Sequence, residues 1–220
     1  AVAALVSYEV PVVLALLGVV IATGSMSLVE IVEGQAIPLL LVQPLGFLAF
    51  VIGISAELNR TPFDLTEAES ELIAGYHTEY SGVKFALIQA AEFGGVVTAS
   101  MVVVTLFLGG WAGPLADYLG WFWFLLKVGA VAFIFIWVRA TYPRLRIDQL
   151  MAFAWKFLLP LSIINLFATA LEVFFLRDSQ GVLAINDLWI MTGINLALGA
   201  GCIALFGSMI REKIKPVTWQ

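Results

Sequence analysis

The chain has 220 residues, of which 61% are hydrophobic and only 12% are charged, and its formal net charge is −5. Soluble domains are nearer half apolar and a quarter charged, so this composition excludes an ordinary soluble globular protein. The single cysteine, Cys202, excludes an internal disulfide, and with only one histidine it also excludes a Cys/His metal motif. We therefore predict an integral membrane protein, surrounded by lipid and without a nucleic-acid partner.

The first residues, from Ala1 onward, are already apolar, and neither a Met nor a basic segment precedes them. A secretory signal peptide begins with a basic region, so this pattern does not indicate one. We expect further sequence to precede residue 1 in the complete protein.

Six stretches are long and apolar enough to cross a bilayer, which takes about 20 residues per helix. They are residues 8–28, 38–58, 84–108, 121–141, 152–171 and 188–210. The runs lack the alternation of apolar and polar residues that a membrane barrel shows over about 10 positions. We predict a single all-α membrane domain over residues 1–220, a polytopic bundle of about six spanning helices, with Pro38 and Pro44 kinking the second.

The basic residues indicate how the helices are oriented, because cytoplasmic loops of membrane proteins are rich in Lys and Arg. If the spans alternate in direction, nine basic residues lie on one side of the membrane and only Arg177 lies on the other. Lys127 lies within a span. The nine are Arg60, Lys84, Arg139, Arg144, Arg146, Lys156, Arg211, Lys213 and Lys215. We therefore expect an acidic loop at 59–83 and a basic loop at 142–151 to face the cytoplasm.

Ionisable side chains also lie within the predicted spans. Glu9, Glu57, Glu92 and Lys127 are of this kind, and each charge at bilayer depth costs about 2.5–3.5 kcal/mol or more. Such residues mark proton or ion routes, although each carboxyl can instead be an uncharged, hydrogen-bonded structural group. Glu172 is predicted to be an interfacial carboxylate at the outer boundary.

The loop 59–83 combines acidic and apolar residues. Arg60 is its only cation before Lys84, and Thr66 with Glu69 fits the capping box of a short helix. Glu67 and Glu71 share one face of that helix, so a proton, a cation or a basic partner must offset their repulsion. The acidic residues from the end of the second span onward are Glu57, Asp64, Glu67, Glu69, Glu71 and Glu79. The alternative is a solvated acidic loop.

The second cytoplasmic loop and its boundary carry three arginines, Arg139, Arg144 and Arg146. Their charge suffices as a topological signal. They are equally suited to pair with the acidic loop or with a docked soluble protein, and the sequence leaves both interpretations open.

Four stretches resemble one known family. They are SYEVP from Ser7, AELNRTPFDLTEAESELIAGYHTEYSGVKFAL from Ala56, AEF from Ala91, and FIWVRATYPRLRIDQLMAFAWKFLLPLSI from Phe135. In order and spacing they are similar to the quinone-site membrane subunit of respiratory complex I (NADH-quinone oxidoreductase), which is numbered 1 in mitochondria and lettered H in bacteria. The resemblance covers most of residues 7–171. Family members begin with further helices, including one that lines the quinone entrance.

The resemblance implies a component that couples quinone reduction to proton translocation and is inactive alone. Its substrate would be a quinone (ubiquinone or menaquinone), and NADH, FMN and the iron–sulfur clusters would be bound by partner subunits. Those partners would be other complex I membrane subunits and the quinone-site and iron–sulfur subunits of the peripheral arm, assembled at the bacterial cytoplasmic membrane.

The resemblance also implies two groups of functional residues. Those of the quinone chamber and its coupling are Glu57, Arg60, Asp64, Glu67, Glu69, Glu71, Arg139, Arg144 and Arg146. Glu9 and Glu92 match a polar route into the membrane arm, to which we add the intramembrane Lys127.

Two alternatives remain. The first is the equivalent component of a hydrogenase-, ferredoxin- or F420-linked membrane complex. The second is an unrelated ion-coupled transporter, although the sequence lacks the related halves that transporters usually show.

Overall fold

The computed structural model describes residues 2–60, 63, 82–143, 145–176 and 185–213, and the regular elements in these ranges are all helical. In chain order they are α1 (Val2–Thr23), α2 (Leu28–Glu33), α3 (Leu39–Val42), α4 (Pro44–Glu57), α5 (Val83–Phe107), α6 (Ala116–Thr141), α7 (Ile147–Phe153), a π-helical turn (Ala154–Leu158), α8 (Leu159–Leu176) and α9 (Ile185–Lys213). The prediction of an all-α fold is confirmed.

Four segments of the described chain are long and apolar enough to cross a membrane. They are Val6–Thr23, Val83–Phe107, Tyr118–Thr141 and Gln149–Leu176. They correspond to the first, third, fourth and fifth predicted spans. The sixth predicted span lies within α9, and the second contains the shorter apolar helix Pro44–Glu57. The count of six spanning helices therefore stays a prediction.

The predicted proline kink in the second span is a complete break. Gln43 separates α3 from α4 with φ −128° and ψ 65°, outside the helical region. Pro44 follows as the first residue of α4, where its missing N–H does not weaken that helix. The same missing N–H prevents α3 from continuing, so the chain changes direction at Gln43.

Helix α1 lies against both α4 and α8. Its buried side chains recur three and four residues apart, at Tyr8, Val12, Ala15, Val19 and Ala22. This spacing forms one continuous stripe along a helix. The opposite face is apolar as well and exposed, at Val6, Val10, Val13 and Leu17. An apolar surface on both sides is what a helix between bundle and lipid requires.

Small residues set how closely these helices approach. A Cβ on Gly53 of α4 would overlap Cγ2 of Val12 on α1. Because lipid is as apolar as the side chains, helix association in a membrane depends on this close packing. Gly53 therefore allows α1 and α4 to approach closely at Val12.

Candidate functional site

The chain reverses direction at the end of α4 through a cap that the sequence encodes locally. Asn59 adopts a left-handed conformation, with φ 48°, which asparagine tolerates better than most residues. The backbone N–H of Arg60 donates to the carbonyl of Ser55 (3.2 Å), and that of Asn59 donates to the carbonyl of Ala56 (3.1 Å). These two bonds form a Schellman-type helix end. The cap turns Arg60 back toward the bundle.

The side chain of Arg60 is buried, with 6% of its surface exposed. Its guanidinium carbon lies 5.2 Å from the centre of the Phe93 ring on α5, a distance typical of a cation–π contact. Neither Nη1 nor Nη2 has a hydrogen-bond partner among the residues that the structure describes. Buried charges are normally paired, so Arg60 is suited to hold an anionic group.

Residues 57–60 at the end of α4 lie against residues 92–95 of α5. A Cβ on Gly95 would lie only 3.0 Å from Cδ2 of Leu58, which shows how tightly the two segments pack. Glu92 is half-buried next to Phe93, whereas Glu57 is exposed. Of the predicted site residues, Glu57, Arg60 and Glu92 thus lie on one pair of packed segments.

A second set of contacts joins this end of α4 to α1 and α7. The ring of Phe63 lies 5.3 Å from that of Tyr8, and both side chains are buried. The Tyr8 hydroxyl donates to the carbonyl of Leu150 at 2.8 Å. On the preceding residue of α1, Ser7 Oγ accepts a 2.9 Å hydrogen bond from Trp155 Nε1 in the π-helical turn. A π-helical turn inside an α-helix often marks a functional site.

The remaining predicted residues have different surroundings. Glu9 is exposed on the surface of α1, although its neighbour Tyr8 is buried. Arg139 and Arg146 are exposed at the end of α6 and just before α7. Asp64, Glu67, Glu69, Glu71 and Arg144, together with the predicted capping box, lie outside the described residues.

Lys127 lies at the other end of the bundle from Arg60. Its Nζ donates to the carbonyl oxygens of Leu108 (2.7 Å), Gly110 (3.1 Å) and Ala112 (2.7 Å). The first of these follows the C-terminus of α5, where a cation stabilises the unpaired carbonyls. Phe93 on α5 and Leu108, just after its end, are 15 residues apart, which is about 22 Å along a helix. Lys127 is therefore remote from the cluster around Arg60.

Glu172, predicted to be an interfacial carboxylate, lies near the end of α8, and its carboxyl is buried among the helices, with 6% of its surface exposed. It accepts a 2.9 Å hydrogen bond from Asn195 Nδ2 on α9. On α8 the buried polar residues are Ser162, Asn165, Thr169 and Glu172. Their spacing of three, four and three residues places them on one face, and this period is the signal by which the sequence identifies them.

Comparison with known proteins agrees with the sequence resemblance. A family model described as NADH dehydrogenase matches residues 1–170. The H subunit of NADH-quinone oxidoreductase from Dehalococcoides mccartyi (strain CBDB1) is 54% identical over 201 residues, which cover 91% of this chain and 54% of that protein. The same-named protein of Geobacillus kaustophilus is 54% identical over 175 residues, covering 77% of this chain and 52% of that protein.

A third relative, the same-named protein of Syntrophotalea carbinolica, is 51% identical over 171 residues, covering 77% of this chain and 51% of that protein. The chain spans about half the length of the curated relatives it matches. Since the family model covers well over half of the chain, and the helices that it covers are those of a multi-pass membrane protein, the chain belongs to the NADH dehydrogenase family, together with the bacterial NADH-quinone oxidoreductase H subunits.

Proposed function

We propose that this chain is part of the quinone-chamber membrane subunit of a proton-pumping NADH-quinone oxidoreductase, where it couples quinone reduction to proton translocation. The observation that carries the proposal is the 54% identity, over 91% of the chain, to a protein named as the H subunit of NADH-quinone oxidoreductase. The buried Arg60 at the junction of α4 and α5 supports the same conclusion, because it provides a cation at the start of the acidic loop.

The chamber is proposed to lie at the cytoplasmic ends of six spanning helices, beneath a peripheral arm. Its residues would be Glu57, Arg60, Asp64, Glu67, Glu69, Glu71, Arg139, Arg144 and Arg146. Glu9, Glu92 and Lys127 would belong to a polar route into the membrane arm. Of these three residues, Lys127 lies farthest from the proposed chamber, because its Nζ donates to carbonyls at the far end of α5.

The chemistry of quinone reduction suits such a set of carboxyl groups. Forming a quinol consumes two protons and brings negative charge into a cavity of low dielectric constant. Nearby charge changes the protonation of buried carboxyl groups, which then titrate as a coupled set. A shift of the acidic loop is proposed to carry this change to the proton-moving subunits, with Arg60 as the cation that the loop carboxylates compete for.

The electrons must come from partner subunits, because the chain has one cysteine and one histidine and cannot ligate an iron–sulfur cluster by itself. We propose that the peripheral-arm subunits bind NADH, FMN and the iron–sulfur clusters, and that ubiquinone or menaquinone is the substrate. The bacterial relatives make the cytoplasmic membrane the expected location.

The decisive experiment replaces Glu67 or Glu71 by Gln in the full-length protein within an assembled complex reconstituted into vesicles. We expect fewer protons translocated per quinone reduced, since a glutamine cannot exchange a proton. Glu30→Gln is the matched control, because Glu30 is exposed on α2, remote in sequence from the acidic loop. An unchanged ratio in both loop variants would contradict the proposed coupling.

The second candidate function is that of the equivalent component in a related membrane complex with another electron donor. The same similarity in sequence supports it. The soluble proteins that co-purify with the tagged full-length chain distinguish the two. An NADH-oxidising flavoprotein supports the proposal, whereas a hydrogenase or a ferredoxin- or F420-oxidising protein supports the alternative.

A further inference from the structure

A group of polar side chains is buried among α3, α4, α8 and α9, outside the proposed chamber. Gln43, Asn165 and Asn195 are fully buried, and Glu172 is nearly so. Leu150, which accepts the Tyr8 hydrogen bond near the chamber, precedes Glu172 by 22 residues, or about 33 Å along a helix. The group is therefore a separate feature near the opposite end of the bundle.

Asn195 on α9 connects Glu172 on α8 to Val42, the last residue of α3 before the helix break at Gln43. Its Nδ2 donates to the carbonyl of Val42 and to Oε2 of Glu172, each at 2.9 Å. The orientation of this amide follows from its neighbours, because a flipped amide would set Oδ1 against two acceptors. Both amide hydrogens of Asn195 are thus used.

The hydrogen bonds leave acceptors without donors. Oε1 of Glu172 and Oδ1 of Asn195 are both buried, and neither has a hydrogen-bond partner in the part of the chain that the structure describes. The two groups are already joined by the Nδ2···Oε2 bond. Because an ionised carboxylate can only accept hydrogen bonds, Glu172 Oε1 and Asn195 Oδ1 cannot bond to each other in that state. A proton on Oε1 converts that oxygen into a donor, for which Asn195 Oδ1 is a suitable acceptor.

The surroundings of Glu172 do not favour a negative charge. It lines a groove of about 580 Å³ whose other residues are apolar, among them Phe167, Leu171 and Ile194. No ion pair to Glu172 is formed by the described residues. Burial of an unpaired carboxylate is costly, and such a group accepts a proton instead.

Among the residues that the structure describes, the charged side chains on the helices packed against Glu172 are remote along those helices. On α4 the nearest in sequence to the break is Glu57, 13 residues beyond Pro44, or about 20 Å. On α9, Asp187 precedes Asn195 by eight residues, about 12 Å. On the helix that contains Glu172 itself, Lys156 precedes it by 16 residues, about 24 Å.

We propose that Glu172 is held as the protonated acid, paired with Asn195, and that this pair is a proton-binding site next to the helix break at Gln43. The ligand of this site is a proton, which is held on the carboxyl group of Glu172. The resulting carboxylic acid pairs with the primary amide of Asn195. The inference rests on the packing of α3, α8 and α9 and does not depend on the quinone chamber.

Infrared spectroscopy of the full-length protein in lipid tests the proposal, because the C=O stretching band of a protonated carboxylic acid is absent from carboxylates and amides. We expect Glu172→Gln to lose one such band and to unfold at the wild-type temperature, since glutamine reproduces the donor and the acceptor of the protonated acid. Glu30→Gln, the exposed control, should retain the band. Identical bands in the wild type and Glu172→Gln would overturn the proposal, as would a Glu172→Gln chain that fails to fold.

Asn195→Leu provides an independent measurement. It removes the amide partner and leaves the carboxyl in place, so we expect the same band to remain with a shifted frequency. A band that does not move would exclude the pairing with Asn195.

Discussion

The guanidinium carbon of Arg60 lies over the ring of Phe93, 5.2 Å from its centre, and joins the end of α4 to the first half of α5. The two residues are 33 positions apart, and most of the acidic loop lies between them in sequence. The contact therefore links the two described segments on either side of residues 64–81.

A double-mutant cycle with Arg60→Lys and Phe93→Leu measures this contact. Lysine retains the charge but not the planar group that stacks on a ring. We expect a coupling of about 0.5–2 kcal/mol in the free energy of unfolding of the full-length protein, the range for a partly desolvated cation–π pair. Strictly additive effects of the two substitutions would contradict the contact.

Lys127→Met tests whether this residue stabilises the far end of the bundle. The substitution leaves the carbonyls of Leu108, Gly110 and Ala112 without their donor, and each buried one costs about 1–3 kcal/mol. We expect a lower unfolding temperature, whereas Lys156→Met, at an exposed position, should have little effect. If Lys127 also belongs to the proton route, the variant complex will translocate fewer protons per quinone; an unchanged ratio would restrict Lys127 to a structural role.

Gly53→Ala should destabilise the contact between α1 and α4. The new methyl group would overlap Cγ2 of Val12, a β-branched side chain that has few alternative rotamers in a helix. Overpacking of this kind costs about 1–3 kcal/mol, measured as the free energy of unfolding. Val12→Ala in the same chain should restore stability.

The matched control for Gly53 is Gly129→Ala on α6, where no atom lies within 4 Å of the added Cβ. Alanine is the better helix former, so this variant should be neutral or slightly stabilising. Equal changes in the free energy of unfolding for Gly53→Ala and Gly129→Ala would show that close packing at Gly53 does not cause the destabilisation.

Tyr8→Phe isolates the hydroxyl that connects α1 to α7. The ring contact with Phe63 persists, and the carbonyl of Leu150 keeps the backbone N–H of Ala154 as a donor but loses the Tyr8 hydroxyl, which costs about 0.5–1.5 kcal/mol. Thermal unfolding of the full-length protein measures the loss. Tyr118→Phe is the control, since that side chain is 84% exposed, and a comparable effect in both variants would argue against the Tyr8 bond.

Hydrophobic run length predicted the helices well, because a bilayer requires about 20 apolar residues whatever they pack against. Four predicted spans correspond to long apolar helices, and Pro38 and Pro44 correctly marked an irregularity. Pro44 disfavours helical geometry at Gln43, and in the packed bundle the side chain of Gln43 donates to the carbonyl of Gly18 on α1 (3.2 Å), a contact that the local sequence does not specify.

The sequence by itself determined the membrane class, the helical fold and the family, since these follow from composition, periodicity and motifs that are local in the chain. Only the tertiary structure decided the partners of individual polar groups. Lys127 binds carbonyls 15–19 residues away, and Glu172 meets Asn195 on the following helix. The physical reason is that a buried polar side chain is satisfied by whichever group the packing sets within about 3 Å of it, and packing is a property of the assembled helices.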